Sequence, residues 1–319
     1  MVTARHMPVL LDEAIGLLKV RKGGTYVDGT VGLGGHTARI LESLAGEGKV
    51  IAIDRDEEAL EQARDRLLSH GGIVSFHHEN FRNLPLLLNG LGWDGMDGCL
   101  LDLGVSSFQL ESARRGFSFR LEGPLDMRQD RRSRTTAADL VNGLSEEELA
   151  HIFWRYGEER RSRAIAREIV RQREQAPLRT TVQLAELIKR VKSARYRGKT
   201  HPATRVFQAL RIQVNQELKG LDRFLEEVIH LLHPGGRLVV ISFHSLEDRI
   251  VKTVFRRSAG RCVCFRPAEL CSCPRVSKGR ILTARPLVPG QRELIENPRS
   301  RSARLRAFEK SEEKERDDG

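Results

Sequence analysis

Short β-rich runs alternate with helical stretches through the first hundred residues. The runs at 25–30, 49–54, 73–78 and 98–103 predict strands, and those at 36–44 and 56–69 predict helices. The second helix carries apolar or small residues at Ala59, Leu60, Ala63 and Leu67, which share one helical face. Strand, helix and strand at this spacing form right-handed parallel units, so the pattern predicts a doubly wound α/β sheet.

This alternation is interrupted between about Arg114 and Asn215, where helices are predicted instead. Ser145 is followed by three glutamates, which is typical of a capped helix start, and Thr180 precedes another helical run. The alternation then resumes with a helix at 216–232, a Pro-Gly-Gly turn, a strand at 237–243 and two short edge strands at 281–285 and 303–308.

The chain is therefore expected to have three parts. They are a discontinuous α/β domain (1–112 and 213–308), an inserted helical domain (113–212) and a disordered charged tail (309–319). The net charge is +11 overall, −6 over 1–112, +11 over 113–212 and +6 over 213–319. Arginine matches phosphate bidentately, so the helical part is predicted to bind a polyanion such as nucleic acid. The alternative is a well-solvated helical surface.

Other compositional features exclude whole classes of protein. No apolar run is long enough for a transmembrane helix, and the first residues lack the apolar region of a signal peptide. Five cysteines among 319 residues do not make a disulfide framework. We expect a cytoplasmic protein without a membrane partner.

The turn after the first strand has the composition of a nucleotide-binding loop. It reads Asp28-Gly-Thr-Val-Gly-Leu-Gly-Gly-His36, follows a strand and opens a helix. Asp54 ends the second strand, where a carboxylate can accept both ribose hydroxyls of an adenosine cofactor. The loop begins with Asp28 and has no Lys or Arg before Arg39, which favours a ligand with an amino group and a sulfonium over a dinucleotide. A tight turn without a ligand is the alternative.

Asp102 ends the fourth strand and is predicted to lie beside this loop, because ligands of open α/β sheets bind beyond the strand carboxyl ends. An acceptor there suits an exocyclic amine, which is a poor nucleophile since its lone pair is conjugated into the ring. Hydrogen bonds from its N–H groups would hold it for in-line attack on a sulfonium methyl. Alternatively, the carboxylate caps the next turn.

Several stretches match one family in sequence and in order. They are His6–Leu11, Asp28–His36, Ala52–Asp56, Leu101–Gln109, Gly116–Phe119, Pro124–Arg128, Tyr156–Glu159, His201–Ile212, Ile241–Arg249 and Asn297–Ala303. The chain thereby resembles the RsmH (MraW) family of bacterial 16S ribosomal RNA cytosine N(4)-methyltransferases over nearly its whole length. The resemblance implies a class I (Rossmann-like) S-adenosylmethionine-dependent methyltransferase sheet with an inserted helical domain for RNA. It also implies methylation of a cytosine of the decoding centre near the P site, with 16S rRNA of the small ribosomal subunit as partner and no DNA.

The family's cofactor contacts map onto residues that follow the predicted strands. They are Gly34, Gly35, His36, Asp54, Phe81, Asp102 and Gln109. By this resemblance Phe81 packs on adenine and Gln109 holds the amino-acid end of the cofactor. The alternatives are a core position for Phe81 and a surface loop position for Gln109. No residue is identifiable as the base that receives the amine proton.

Two predicted helices of the insert carry candidate RNA-binding residues. Arg160, Arg163, Arg167 and Arg171 are spaced to line one face of the first helix. Thr204, Gln208, Arg211 and Asn215 share a face of the second helix, and Arg205 lies beside them. The first face is expected to grip phosphates and the second to contact bases or sugars. Salt-bridged, exposed helices are the alternative.

Cys262-Val-Cys264 and Cys271-Ser-Cys273 are two C-x-C pairs six residues apart. Four thiolates can bind zinc tetrahedrally, but the usual spacing in zinc sites is C-x2-C and the resemblance requires no metal. Zinc and reduced free thiols both remain open. Cys99, in the fourth strand, is expected in the core.

Three functions are compatible with these features. RNA methylation is the leading hypothesis, a non-catalytic nucleic-acid-binding protein with a retained cofactor pocket is the second, and a nucleotide-dependent oxidoreductase is the third. The presence of both Asp54 and Asp102 argues against the second. Affinity for S-adenosylhomocysteine compared with NAD separates the first from the third.

Overall fold

The computed structural model describes residues 7–70, 72–192, 200–264, 270–271, 273 and 276–311. The chain divides into two compact units, Met1–Gly104 with Gly220–Gly319 and Val105–Lys219. The chain passes from one unit to the other at Gly104 and at Gly220. Both glycines have a positive φ, 101° and 71°, a conformation that other residues adopt only with strain.

Within the described residues, seven strands form one sheet in the first unit. They are β1 Thr25–Asp28, β2 Lys49–Asp54, β3 Val74–His78, β4 Met96–Asp102, β5 Leu232–Ser242, β6 Gly279–Ile281 and β7 Arg304–Lys310. Their order is β3-β2-β1-β4-β5-β7-β6. The pairs among β1 to β5 are parallel, whereas β7 runs antiparallel to both β5 and β6. This sheet confirms the predicted α/β fold of the class I type.

Helices flank the sheet and make up the second unit. They are α1 Leu11–Leu18, α2 Gly35–Leu44, α3 Glu57–Leu67, α4 Leu84–Gly90, α5 Ser107–Glu111, α6 Ala137–Gly143, α7 Glu146–Gly157, α8 Ser162–Gln175, α9 Thr181–Lys192, α10 Thr204–Asn215, α11 Leu221–Leu231, α12 Ser245–Ser258 and α13 Gln291–Glu296. Those from α5 to α10 belong to the second unit, so the predicted helical insertion is confirmed. The boundary expected at 212/213 falls inside α10.

The core of the first unit forms because the central strands are apolar on both faces. Cys99 in β4 and Val239 in β5 are fully buried, as expected for parallel strands covered by helices. The expected core position of Cys99 is confirmed. The predicted apolar face of α3 is also buried.

Two predicted boundaries in this unit are wrong. The Pro234-Gly235-Gly236 turn lies within β5 as an irregularity between the pairs Met96–Leu232 and Gly98–Arg237, with Gly235 at φ 76°. β7 continues through Glu309 and Lys310, the first residues of the expected disordered tail, because Glu309 pairs with Arg237 of β5 and Lys310 pairs with Gly279 of β6. The Glu309 carboxylate also accepts hydrogen bonds from Arg237 and Arg280. Residues 312–319 of that tail lie outside the described residues.

The second unit has its own core, formed where α6 to α10 pack together. Phe153 of α7, Ile165 of α8 and Leu210 of α10 are fully buried in it. α7 begins as predicted, with the Ser145 hydroxyl accepting from the Glu148 amide and the Glu148 carboxylate accepting from the Ser145 amide. Among the helices described in both units, none combines the length and the apolar character that crossing a membrane requires.

Candidate functional site

The carboxyl ends of β1 and β4 lie side by side at the point where the strand order of the sheet reverses. β2 and β3 follow on one side of β1, and β4 pairs with its other side. Asp28 ends β1 and Asp102 ends β4. The amide of Asp102 donates to the Thr30 hydroxyl at 2.6 Å, which fastens the loop after β1 to the end of β4. Open α/β sheets bind ligands at such a point.

Asp28 holds this loop from the inside. Its side chain is 1% exposed, and its two oxygens accept from the Thr30 amide at 3.1 Å and the Thr37 hydroxyl at 2.6 Å. Burial raises the pKa of Asp28 to about 6. Asp28 can therefore favour an amino-bearing ligand through its charge, but not through direct contact.

Gly34 and Gly35 are required by the local geometry of the loop. Gly34 has a φ of 78° immediately before α2. At Gly35 a Cβ would lie 2.2 Å from Cγ of Pro8, so only glycine permits this close packing. The pair thus starts α2 in the expected place, although packing alone explains the Gly35 requirement.

Asp54 fixes the other side of the loop. Its Oδ2 accepts from the Gly32 amide at 2.8 Å and its Oδ1 accepts from the Asp56 amide at 2.9 Å. Burial raises the pKa of Asp54, while these two amide hydrogen bonds oppose the shift. Each carboxylate oxygen has a second lone pair, so the group can still accept from a ligand.

His36 lies between Val9 and the end of β4. Its Nε2 is 3.1 Å from the carbonyl oxygen of Val9, and because a carbonyl only accepts, Nε2 carries a hydrogen. Its Nδ1 lies 3.9 Å from Oδ2 of Asp102. The structure therefore brings together two residues that the sequence predicted separately.

Asp102 is the least satisfied polar group of this site. Its side chain is 24% exposed, yet Oδ1 is buried and has no hydrogen-bond partner among the described residues. Burial raises the pKa of Asp102 well above its ordinary value, and the neighbouring carboxylates of Asp28 and Glu247 raise it further. Buried acceptors are normally paired, so Oδ1 is an unsatisfied acceptor, and the 24% exposure of the side chain leaves the carboxyl group accessible to a ligand with an N–H donor or a positive charge.

Asp28, Asp102 and Glu247 form a carboxylate cluster at this edge of the sheet, and sequence reasoning missed Glu247. Glu247 is 2% exposed, accepts from the Phe243 amide at 3.0 Å and lies 3.2 Å from Nε2 of His244. Both residues follow β5, the neighbour of β4. Their position directly after the predicted strand 237–243 was the available signal, since carboxyl ends of parallel strands share one edge of the sheet.

Phe81 is buried in the core of the first unit. Its side chain is 6% exposed, and its ring packs against Phe224 with a centroid distance of 4.9 Å. The Arg82 guanidinium lies 4.8 Å from the same ring. These contacts agree with the alternative of a core position that the sequence left open.

Gln109 belongs to the second unit and caps α5. Its backbone N–H donates to the Ser106 hydroxyl at 3.2 Å, and its side-chain Oε1 accepts from the backbone N–H of Ser106 at 3.0 Å. The side chain is 4% exposed, so the alternative of a surface position is wrong. A capping box accounts for the burial of this polar residue.

The arginine face of α8 is shorter than expected. The helix begins at Ser162, so Arg160 lies in the turn before it and outside the helical face. Arg163 is exposed, and Arg167 is 74% exposed with a Glu146 oxygen at 3.5 Å. Ion pairs this exposed contribute little to stability, which leaves the guanidinium groups accessible to an anion.

The polar face of α10 is directed into its own unit. Arg211 forms two hydrogen bonds to Glu217, and Gln208 donates to the Tyr156 carbonyl. Asn215 donates to the Met127 carbonyl and accepts from the Gln129 amide. Thr204 is half-buried, whereas Arg205 is exposed and donates to the Glu158 carbonyl. These contacts account for most of the polar residues of α10 without RNA.

The comparisons with known proteins cover nearly the whole chain. The profile of the MraW methylase family matches residues 3–311. A protein of Pelobacter propionicus named ribosomal RNA small subunit methyltransferase H is 53% identical over 96% of this chain and 98% of its own length. Its namesake in Geobacter sulfurreducens is 52% identical over 97% and 100%. The crystal structure of an rRNA methylase from Streptococcus thermophilus, at 13% identity, a TM-score of 0.41 and coverage of 96% and 98%, is too distant to add weight. On the extent of the sequence matches, the chain belongs to the MraW methylase family.

Proposed function

We propose that this protein transfers the methyl group of S-adenosylmethionine to the N(4) amine of a cytosine in 16S ribosomal RNA, at the decoding centre near the P site. The observation that carries the proposal is the carboxylate cluster where β1 and β4 end, with the unpartnered Oδ1 of Asp102. The names of the relatives support RNA of the small ribosomal subunit as the substrate.

The residues at the end of the sheet fit S-adenosylmethionine better than a dinucleotide. When bound, this cofactor supplies a methyl group on a positively charged sulfur, which the amine nitrogen takes up as the carbon–sulfur bond breaks. Asp28, Asp102 and Glu247 place three carboxyl groups close together, a setting that suits a positively charged ligand. The loop itself carries no Lys or Arg, and the first basic side chain after it, Arg39, lies within α2.

Asp102 has the central role in this proposal. Its carboxylate accepts a hydrogen bond from the target amine and holds the amine in place, which offsets the weak nucleophilicity of the conjugated nitrogen. A cation beside Asp102 favours the ionised carboxylate and so opposes the rise in its pKa. Water is a sufficient acceptor for the proton that the methylated amine releases.

Asp54 and the residues from Gly34 to His36 are assigned to the adenosyl part by resemblance and position. Asp54 ends β2 next to the loop and retains lone pairs for the ribose hydroxyls. Phe81 and Gln109 receive less support, because their contacts with Phe224 and Ser106 explain their burial.

For the RNA, the geometry favours Arg163 and Arg167 of α8 as phosphate contacts, since both are accessible. The polar residues of α10 remain candidates because they share one helical face, and Arg205 is the most exposed of them. An enzyme that acts on a base in folded RNA must take the base out of its stack, and the helical unit is proposed to hold the RNA in that state.

Nucleoside mass spectrometry of small-subunit RNA tests the substrate. RNA from cells that lack the protein should lose N(4)-methylcytidine at one position, and the wild-type chain should restore it. Asp102→Asn should restore little of it. The matched control is Asp94→Asn, the same change at a side chain that is 100% exposed before β4. Unchanged methylcytidine in the deletion strain would contradict the proposal.

Titration calorimetry separates the competing functions. Binding of S-adenosylhomocysteine without detectable binding of NAD is expected. Binding of NAD alone would favour the oxidoreductase. A non-catalytic RNA-binding protein would be favoured if the chain binds cofactor and RNA but transfers no methyl group to any small-subunit RNA.

A further inference from the structure

The segment between α12 and β6 brings four cysteine sulfurs together. The Sγ atom of Cys262 lies 3.4 Å from those of Cys264 and Cys271 and 3.9 Å from that of Cys273, and the Cys264 and Cys271 sulfurs are 3.5 Å apart. All four sulfurs lie within 4.8 Å of one another. The five cysteines of the chain are free thiols, so no disulfide holds this arrangement.

These distances fit four ligands around a single metal ion. With zinc–sulfur bonds of about 2.3 Å, the sulfurs of a tetrahedral site are roughly 3.8 Å apart. A cluster of several iron atoms would space its cysteines more widely, because they bind different irons. The C-x-C spacing, which is unusual for zinc, is no obstacle, since Cys262 and Cys264 already converge in the structure.

The surroundings of the sulfurs match those of a metal-bound thiolate. A guanidinium nitrogen of Arg256 donates to the Cys262 carbonyl at 3.2 Å, which places a cation beside the cluster. Thiolates bound to metals are oriented and stabilised by such outer contacts.

The described residues at the two ends of this segment are held together by backbone contacts. Its base is closed by a bridge between Ala259 and Ser277 and by the Lys278 amide, which donates to the Ser258 carbonyl at 2.7 Å. Leu270, which lies between the two cysteine pairs, is 66% exposed. A structural metal contributes folding free energy to the segment whose thiolates bind it.

We propose that Cys262, Cys264, Cys271 and Cys273 bind one Zn²⁺ ion tetrahedrally, and that this ion fixes the segment between α12 and β6. Four thiolates favour zinc over harder divalent ions, and zinc binds such sites more tightly than Fe²⁺ does. The site is independent of methyl transfer.

The metal content of the full-length protein tests this site. After purification under reducing conditions without chelators, plasma mass spectrometry should find about one zinc ion per chain. Replacement by Co²⁺ should give the sulfur-to-cobalt charge-transfer absorption of a tetrahedral thiolate site. Cys271→Ser combined with Cys273→Ser should abolish both signals. Cys99→Ala, which removes the cysteine of β4, should leave both unchanged.

A second measurement applies if the double variant fails to fold. Chelation of zinc from the wild-type protein should speed tryptic cleavage between residues 258 and 278, and added Zn²⁺ should restore protection. The proposal is overturned if the reduced wild-type protein contains no zinc and takes up neither Zn²⁺ nor Co²⁺. Retention of zinc by the double variant, or two disulfides found by intact-mass measurement in place of the metal, would also overturn it.

Discussion

Nδ1 of His36 faces Oδ2 of Asp102 across 3.9 Å, while Nε2 of the same ring is committed to the Val9 carbonyl. The ring thus has a fixed orientation beside the one carboxylate whose other oxygen is buried without a hydrogen-bond partner among the described residues. This contact connects the loop Asp28–His36 with the end of β4. Asp102 is therefore the residue at which the proposed reaction is best tested.

Asp102→Asn should lower the single-turnover rate of methyl transfer at saturating cofactor by at least about tenfold, while RNA affinity changes less. The reason is that the carboxylate positions the amine in the reactive geometry, so its loss appears in the chemical step. Rapid-quench assays with Asp94→Asn as control measure this effect. A raised cofactor dissociation constant with a normal saturated rate would assign Asp102 to cofactor binding, and a lowered melting temperature alone would assign it to a structural cap.

Asp54→Ala should weaken binding of S-adenosylhomocysteine by about tenfold or more, because charge-assisted hydrogen bonds contribute about 1.5–3 kcal/mol each. Titration calorimetry measures the change, and Asp65→Ala on the exposed side of α3 serves as control. Asp54 also accepts the amides of Gly32 and Asp56, so a melting curve is needed. Unchanged affinity with a lower melting temperature would leave Asp54 only the role of holding the loop.

Asp28 should make stability depend on pH. Its pKa is about 6 in the folded protein and near 3.8 ordinarily, so between these values the folded state binds more protons than the unfolded chain. The contribution of Asp28 to the free energy of unfolding is therefore fully present below about pH 4. It falls by about 3 kcal/mol in total as the pH rises through 6.

Asp28→Asn removes this titration and can keep hydrogen bonds to Thr30 and Thr37. The free energy of unfolding of the variant, relative to wild type, should therefore increase by up to about 3 kcal/mol from pH 4 to pH 7. Urea unfolding at a series of pH values measures it, with Asp94→Asn as control. A difference that is independent of pH would show that Asp28 ionises normally in the folded protein.

Charge reversal of Arg163 and Arg167 to Glu should weaken RNA binding and make it less sensitive to salt, because each lost phosphate contact lowers the slope of log affinity against log salt by about 0.7–0.9. Cofactor affinity should not change. The same reversal at Arg223 and Arg292, two exposed arginines of the other unit, is the matched control. If reversal of Arg163 and Arg167 changes neither the RNA affinity nor its salt dependence, the α8 face is only a solvated surface.

Arg211→Ala should lower the free energy of unfolding by about 3 kcal/mol or more, because it leaves the Glu217 carboxylate, whose side chain is 3% exposed, without its guanidinium partner. Arg205→Ala, on the same helix but exposed, should cost less than about 1 kcal/mol. Urea unfolding compares the two. Unchanged stability of Arg211→Ala together with weakened RNA binding would restore Arg211 to the RNA surface.

Local patterns were enough for the elements that carry the site. β2 was predicted over the residues it occupies, and α2 and α7 begin within one residue of the expected start, because alternation, glycine and capping residues act within a few positions of the chain. Because the carboxyl ends of parallel strands share one edge of a sheet, the sequence alone predicts that Asp28, Asp54 and Asp102 lie at the same edge.

Only the tertiary structure decided how each of these side chains is used. Asp28 could contact a ligand or link Thr30 to Thr37, and the contacts it forms depend on how the loop packs. In the same way, packing brings Glu217 to Arg211 on the polar face of α10. The convergence of the four cysteines and the buried, unpartnered oxygen of Asp102 are likewise properties of the assembled fold. Composition specifies which groups are present, but hydrogen bonding and desolvation depend on separations of a few ångströms, which are fixed only when the elements pack.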